Sequence, residues 1–472
     1  MSSWDKRDPK AQRKAADALL RRQLRDAVGP FSPFWRERFT ALRLTANSIA
    51  TVAQLSKVPA VGERDICPDG DPRGAARLVL QADEAGFAMH AGGPDLRKAL
   101  VKRAIGSSSY RRQVEAQIRP TTYHYAGQAL TFPVASTRSD LDLVARAGNR
   151  AWQVLGLSSR DVLVSAVPVA PRLHHEALRL AALAAGAPAL FPGDDLLALV
   201  ETLRVVPATV LAAEPSTAAD LLADLAETGA HLDTVTTLLL LGAPTADERA
   251  AVGEALSASG SEQVRVLALH GPAEGRVLWA ECAPGSGLHT YPDLDIVEIV
   301  DPDTGDKAAS AAGGELVITQ LGFRGTALLR WRTGEVAPDP IAVDACKGCG
   351  RTVPRVSSSL RTGAFVAPLE TPAGEFMADM RAVAGALSGR ADLTDWRVEV
   401  RKAQRSSLDE LLVFIDPSGD ETEAAVGVYR DVRAAAGMAP TQVVVVQSDQ
   451  LPALGGTGRL EEAVSTRISV RR

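Results

Sequence analysis

Between His270 and Arg351 the chain concentrates the residue types that can do chemistry. Cys346 and Cys349 stand two residues apart on a Gly-containing knuckle, CKGCGR, which is half of a zinc site. Cys282 and His289, separated by six residues, supply a second pair on another loop. Taken together the four make a Cys3His set, a common tetrahedral arrangement for structural zinc. Taken apart they are two thiols on one loop beside an unrelated cysteine and histidine, and spacing alone leaves both readings open. The fourth cysteine, Cys67 in CPDG, stands outside the set. Two acidic residues in the same region, Glu274 in HGPAEG and Glu335 in RWRTGEV, lie beside glycines at strand ends.

Further upstream, His174 and His175 follow the apolar run DVLVSAVPV. An imidazole at the carboxyl end of a strand could bind a substrate carboxylate or act as a base, and His175 joins Glu274 as a catalytic candidate. The alternative is a pair at a helix N-terminus facing solvent or a neighbouring sheet. Gly106 and the three serines after it could hold phosphate through backbone N–H groups. That stretch lacks the lysine and the preceding strand of a P-loop, so an ordinary turn is expected.

The elements that must position these residues are most regular from Ser139 to Leu269. SDLDLVARAGNRAWQVLGL, HHEALRLAALAAGA, LLALVETLRVV, PSTAADLLADLAETG and TADERAAVGEALSASG carry helical spacing. DVLVSAVPV, APALF, ATVLAA, TVTTLLLLG and QVRVLALHG between them are short apolar runs. Alternation at these lengths predicts right-handed βαβ units and a mainly parallel sheet, with strands buried on both faces. Ligands of such sheets bind beyond the carboxyl ends of the strands, here at Gly242-Ala243-Pro244 and at His270-Gly271-Pro272-Ala273-Glu274. From about 291 to 345 the pattern changes to strands divided by Asp-Pro and Gly-Gly turns, a small β-subdomain. Residues 362–472 read as a separate α+β cap domain, leaving 1–361 as the large N-terminal domain. At the start of the chain, residues 10 to 28 predict a basic amphipathic helix packed through Ala18, Leu20, Leu24 and Val28 and stopped at Gly29-Pro30.

A chain of 472 residues exceeds one core, consistent with that division. A net charge of −5 gives no global reason to expect nucleic acid or an anionic membrane as partner. No apolar run is long enough to span a bilayer. Four cysteines in so long a chain do not make a disulfide framework, which predicts a cytoplasmic setting. The basic N-terminal helix could serve a homodimer.

The order of these pieces resembles the adenylate-forming ligases, in particular the phenylacetate–CoA ligase-like branch, over nearly the whole chain. QLRDAVGPFSPFWRERF with SIATVAQLSKVPAV is similar to that branch's N-terminal signature. TRSDLD with VLGLSSRDVLV, then LLLLGAP, LHGPAEGRVLWAEC, GLH with DPDTGD, GGELVIT and RWRTGEV follow in family order. The resemblance implies activation of a small carboxylic acid as an acyl-adenylate with ATP and magnesium, then transfer to coenzyme A or an amine. It implies that Gly242, Ala243 and Pro244 line the adenine site and that His270, Gly271, Pro272 and Ala273 wall the nucleotide and acyl pockets. Glu274 would hold magnesium and Glu335 the ribose hydroxyls. Arg361 would mark the hinge, and Arg459 would stand at the catalytic lysine position. Members of the branch also carry cysteines and a histidine at the metal-ligand positions. This pairs Cys282 and His289 with Cys346 and Cys349 around a structural zinc.

Four positions depart from the family pattern. The phosphate loop before TRSDLD is YHYAGQALTFP, with only Gly127, Thr131 and Pro133 of the usual type and no lysine. The ribose-binding aspartate is Glu335, one methylene longer. The hinge is SSSLRTGAF. Arginine at 459 keeps the charge of lysine but not its geometry. Three readings follow: an acyl-adenylate-forming ligase, a non-adenylating relative that binds a ligand without using ATP, and an ATP-independent acyltransferase using His174 or His175 as base.

Overall fold

The computed structural model describes the chain apart from residues 1–2, 68–71, 92–110, 127–131, 171, 231, 262, 302–303, 309–312, 363–365, 372–373, 404–407, 437, 448–449, 452–467 and 472. Arg459, Gly127, Thr131 and the Gly106–serine stretch lie outside the described residues. The chain is α/β and divides into two compact units. Met1–Gly127, Phe132–Thr333 and Ala337–Arg361 form the first, and Gln128–Thr131, Gly334–Val336 and Thr362–Arg472 the second.

In the first unit, β1 (Pro120–Ala126) and β2 (Phe132–Thr137) make an antiparallel hairpin. The main sheet follows with β3 (Leu163–Ser165), β4 (Ala189–Leu190), β5 (Val210–Ala213), β6 (Thr237–Leu241) and β7 (Arg265–His270). It is extended by β8 (Trp279–Ala280), β9 (Leu288–His289) and, from further along the chain, β13 (Arg355–Val356). Its strand order is β13-β9-β8-β7-β6-β5-β3-β4. The five strands from β4 to β7 are parallel, and β8, β9 and β13 add an antiparallel edge.

Leu238 to Leu241 on β6 and Val210 to Ala213 on β5 are all buried because helices cover both faces. On one face, Leu211, Ala213, Leu238 and Leu240 pack with Leu199, Leu222, Leu225, Val252 and Leu256 of the flanking helices. Those helices start where the sequence supplies caps. Thr137 and Asp140 form a capping box for Arg138–Val154, and Thr245 and Glu248 form one for Ala246–Ala258. Gly186, in the left-handed conformation, ends Leu173–Ala185.

A four-stranded sheet in the order β10-β11-β12-β14 contains β10 (Asp295–Val300), β11 (Gly314–Gln320), β12 (Trp331–Ala337) and β14 (Arg361–Thr362). The second unit has a hairpin, β15 (Val366–Thr371) with β16 (Gly374–Asp379). It also has a sheet in the order β19-β18-β17-β20, formed by β17 (Leu393–Lys402), β18 (Asp409–Pro417), β19 (Gln442–Val445) and β20 (Ile468–Arg471). Helices Met380–Ser388 and Glu421–Ala436 pack on it through Val383, Leu387, Val428 and Val432 against Trp396, Val398 and Val413.

The N-terminal segment differs from expectation. Helix Pro9–Gln23 does not stop at Gly29-Pro30. It continues through a π-helical segment, Leu24–Val28, into the turn Gly29–Phe31, and breaks at extended Ser32. Pro30 is tolerated because it enters a new helical turn, where its missing N–H would have no intrahelical partner. The buried stripe runs through Gln12, Ala16, Leu20 and Gln23, and Ala18 faces solvent.

Candidate functional site

The parallel strands reverse their order at β3. The chain passes from β3 to β4 on one side, then crosses to β5 on the other. Open α/β sheets of this kind have a crevice outside the strand ends at such a switch point, where the connections diverge. The residues that leave β3 and β5 at their carboxyl ends are therefore placed to meet a ligand.

After β3 the chain turns through Arg172, in extended conformation, into helix Leu173–Ala185. His174, in the first turn, has its ring centroid 6.0 Å from that of His270 at the end of β7. Its neighbour His175 points elsewhere, with its ring edge-to-face against Phe191 at 5.4 Å. Burial, together with His270 and Arg172, pushes the pKa of His174 down to about 3, so the ring is neutral at physiological pH. Glu214, directly after β5, has a raised pKa because burial outweighs the nearby Arg172 charge. Of the two adjacent histidines, the structure thus sets His174 beside the β7 end.

β6 ends in Gly242-Ala243-Pro244, with the Gly242 N–H donating to the Leu269 carbonyl at 3.1 Å. β7 ends in His270, followed by Gly271, Pro272, Ala273 and Glu274. A tight turn closes this segment, the Gly275 N–H donating to the Pro272 carbonyl at 2.8 Å. Gly271 is required by space: a Cβ there would lie 2.2 Å from the Val277 carbonyl oxygen. Glu274 is 1% exposed. Glu335 is 4% exposed on β12, and Arg361 lies on β14.

Two residues that the sequence did not single out hold the Glu274 turn. His124, on the buried face of β1, makes a 3.1 Å hydrogen bond between its Nε2 and the Ala273 carbonyl. Arg276, 1% exposed, donates to Gln320 Oε1 at 2.9 Å, to the Ala135 carbonyl at 3.0 Å and to the Thr326 carbonyl at 2.5 Å. Its guanidinium also lies 4.3 Å from the Phe323 ring centroid and 3.5 Å from Asp140. Asp140 in turn accepts from the backbone N–H groups of Thr137, Arg324 and Gly325. The alternation in PTTYHYA was the only available signal for His124, and a lone arginine carries none.

Cys282, His289, Cys346 and Cys349 come together at the antiparallel edge of the main sheet, their ligand atoms all within 4.8 Å of one another. Cys282 follows β8, His289 ends β9, and the knuckle precedes β13, which pairs with β9 through Arg355 and His289. Cys282 Sγ and Cys346 Sγ are 3.7 Å apart, and Cys349 Sγ is 3.3 Å from His289 Nε2. Four ligands on a tetrahedron with Zn–S of about 2.3 Å and Zn–N of about 2.0 Å require separations of roughly 3.5–3.8 Å. The donor set fits that ion in type, and these two separations lie close to the required values.

Local contacts shape each candidate ligand. His289 Nδ1 hydrogen-bonds the Ala280 carbonyl at 3.1 Å, which directs Nε2 into the cluster. Burial lowers the His289 pKa to about 4, keeping the ring neutral as a ligand must be. Burial pushes the Cys282 thiol up to about 11. Burial also opposes ionisation of Cys346, but the backbone N–H groups of Cys349 and Gly348 prevail and lower its pKa. The backbone of Gly348 passes close to the cluster, where a Cβ would sit 3.2 Å from Cys282 Sγ, a tight contact. Buried Glu281, next to Cys282, anchors the loop by accepting from Arg249, Ala268 N–H and Gly285 N–H. Arg351 binds Asp5 at 2.8 Å and so fastens the chain's start to the knuckle.

No helix among the described residues is long and apolar enough to cross a membrane. No protein-family profile and no curated protein matches the chain. Solved structures do. 2-Hydroxyisobutyryl-CoA ligase in complex with its acyl-AMP and CoA, in the thioesterification state, aligns with a TM-score of 0.62 at 16% identity, covering 99% of this chain and 91% of that one. The same ligase in the postadenylation state gives 0.61 at 17% identity, covering 100% and 92%. Its open conformation gives 0.59 at 16% identity, covering 97% and 91%. This chain has the fold of the adenylate-forming acyl-CoA ligases along essentially its whole length.

Proposed function

We propose that this protein is an AMP-forming carboxylate ligase acting on a small carboxylic acid. The acid's carboxylate attacks the α-phosphorus of ATP and displaces pyrophosphate. A thiol, coenzyme A by analogy with the ligase of the same fold, or an amine then attacks the acyl carbonyl and displaces AMP. The observation that carries this reading is the turn at the end of β7. It holds a nearly buried carboxylate, Glu274, beyond the carboxyl edge of the parallel sheet, between Ala273, whose carbonyl bonds His124, and, two residues further on, Arg276, which bonds the Ala135 carbonyl. A carboxylate there suits a divalent cation, and magnesium bound to Glu274 would neutralise polyphosphate charge. Glu335 is assigned to the ribose hydroxyls, Gly242 to Pro244 to adenine, Arg361 to the hinge and Arg459 to the reacting phosphate. Residues 1–361 and 362–472 are assigned as the adenylating and cap domains.

The Cys3His cluster is assigned a structural zinc. All four positions of a tetrahedron are filled by protein, so the ion would have no open site for chemistry. It would join the loop after β8 to the loop before β13.

One observation favours a second reading. The hairpin from Pro120 to Thr137 contains no lysine, so a non-adenylating relative or an ATP-independent acyltransferase is the alternative. The deciding measurement is calorimetry with ATP and magnesium, followed by acid-dependent pyrophosphate exchange over a panel of aryl and short acyl acids. Binding with exchange is the expected result. Absence of binding at millimolar ATP overturns the ligase reading, and binding without exchange favours the non-adenylating one.

A further inference from the structure

The turn that presents Glu274 has a definite type. The Gly275 N–H donates to the Pro272 carbonyl at 2.8 Å, which makes Ala273 and Glu274 the two central residues of a β-turn. Among the described residues, the non-glycine residues with positive φ are Arg43 and Arg330, so Glu274 keeps a negative φ. This excludes type II and its mirror forms and leaves type I, which Gly275 in the last position suits. Types I and II differ by a flip of the peptide between the two central residues, here the one formed by the Ala273 carbonyl and the Glu274 N–H. The orientation of that peptide sets φ of Glu274, and with it the direction in which the carboxylate leaves the backbone.

His124 holds this peptide. Its Nε2 lies 3.1 Å from the Ala273 carbonyl oxygen, 149 positions away in the chain. That oxygen can only accept, so Nε2 must carry the proton. Burial outweighs the Ala273 bond and lowers the His124 pKa to about 4, so at neutral pH one ring nitrogen alone is protonated and the tautomer is fixed. The second strand of the hairpin grips the same segment, since the Ala135 carbonyl accepts from Arg276 and Ala135 pairs with Tyr123, next to His124. Both strands thus fix the segment, and His124 acts on its central peptide.

We propose that His124 is a positioning residue for Glu274: by donating to the Ala273 carbonyl it locks the central peptide of the turn and so aims the carboxylate at the divalent cation of the nucleotide. This rests on the ligase reading, which assigns that cation to Glu274. Without the donor, the half-buried Ala273 carbonyl loses its partner, and the peptide turns towards water to regain one, carrying Glu274 out of line. Groups that orient a metal ligand from outside typically change affinity or activity by about 10–100-fold when removed. Because His124 acts through Glu274, its removal should cost little once the carboxylate is gone.

The test uses the full-length protein with ATP, magnesium and the acid panel of the exchange assay. His124→Leu should raise the magnesium concentration for half-maximal ATP binding, read by calorimetry, and lower the exchange rate, each by about tenfold or more, with KM for the acid within about twofold of the parent. His124→Gln, whose amide N–H can still donate to the carbonyl, should recover most of both. In a Glu274→Gln background, His124→Leu should change the residual exchange by less than about twofold. A merely structural role would lower the thermal midpoint without this non-additivity. Full additivity, an unchanged magnesium requirement in His124→Leu, or no recovery in His124→Gln would each overturn the proposal. The parent protein supplies a measurement that needs no substitution, and it decides the matter if His124→Leu fails to fold. Nitrogen-15 NMR should find Nε2 of His124 protonated and Nδ1 not, and the Nε2–H resonance should move when magnesium is added to the ATP-bound protein. An unprotonated Nε2 or an unmoved resonance overturns the proposal. The two claims fail separately. A parent that binds no ATP at millimolar concentration with magnesium overturns the ligase reading and this inference with it. Magnesium-dependent ATP binding and exchange that His124→Leu leaves unchanged overturn this inference alone.

Discussion

The sulfurs of Cys282 and Cys346 lie 3.7 Å apart although they stand 64 positions apart in the chain. Two thiols at that distance, with Cys349 and His289 completing the set, are too far apart for a disulfide of about 2.05 Å and correctly spaced for a shared ion. Protein purified without chelator should contain about one zinc per chain by elemental analysis. Cys346→Ser should abolish it and lower the thermal midpoint by several degrees. Loading the stripped protein should release protons, because the thiols must ionise to bind. This appears as a calorimetric enthalpy that changes with the buffer's ionisation enthalpy. A stoichiometry near zero in fresh protein would remove the zinc assignment.

Arg276 offers a prediction about stability. Its guanidinium satisfies the Ala135 and Thr326 carbonyls and the Gln320 amide oxygen in a site that water does not reach. Arg276→Met keeps much of the packing on Phe323 but leaves these acceptors, and the neighbouring Asp140, without their buried cation. Removing one member of a buried charged network typically costs about 3–5 kcal/mol. Chemical denaturation should show a loss of that order, and a change under about 1 kcal/mol would mean that the network relaxes or hydrates freely.

Asp295 should give the unfolding curve a distinct pH dependence. Burial raises its folded pKa to about 7, against the hydrogen bonds from Trp279 and Gln320 that favour the ionised form. In the unfolded chain an aspartate titrates near 3.9. The folded state therefore holds a proton that the unfolded state has lost. Its contribution is fully present below about pH 4 and is lost as pH rises towards 7. Asp295→Asn, which cannot titrate, should flatten the fall in unfolding free energy between about pH 4 and 7. Denaturant titrations of both proteins across that range make the comparison, and parallel curves would show that Asp295 is ionised throughout.

The parallel half of the fold was legible because its strands are buried on both faces and so must be apolar runs, as TLLLL on β6 shows. Its helices carry explicit starts, such as Thr245 with Glu248. The antiparallel edge was not legible. β8, β9 and β13 are two residues long, too short for any period to register. Their pairing is nevertheless what joins the two halves of the metal cluster, which residue spacing left open. The continuation past Gly29-Pro30 was missed for another local reason. A proline reads as a stop unless the preceding turn is known to widen, and π-helical geometry has no sequence period of its own at this length. His124 and Arg276 escaped notice because each acts on a backbone carbonyl distant in sequence. Such a partner leaves no mark in the pattern of residues.

Glu274 carries the test of the chemistry itself. It is nearly buried, and the turn that presents it is fixed by the Pro272–Gly275 hydrogen bond and by the close approach of Gly271 to Val277. Glu274→Gln retains the shape of the side chain and removes its charge. If the carboxylate holds magnesium, pyrophosphate exchange should fall by about 100-fold or more, as expected for loss of a group that stabilises transferring phosphate. The folded protein should survive, with a thermal midpoint within a few degrees of the parent, because the substitution keeps the volume and the amide oxygen can still accept as one carboxylate oxygen does. Gly271→Ala gives the contrasting control. It leaves every charge in place but forces the backbone at Val277 to move, and overpacking of this kind costs about 1–3 kcal/mol. It should therefore lower the midpoint and activity together. Loss of exchange with stability intact in Glu274→Gln identifies the carboxylate as part of the reaction. Unchanged exchange in that variant would place the metal elsewhere.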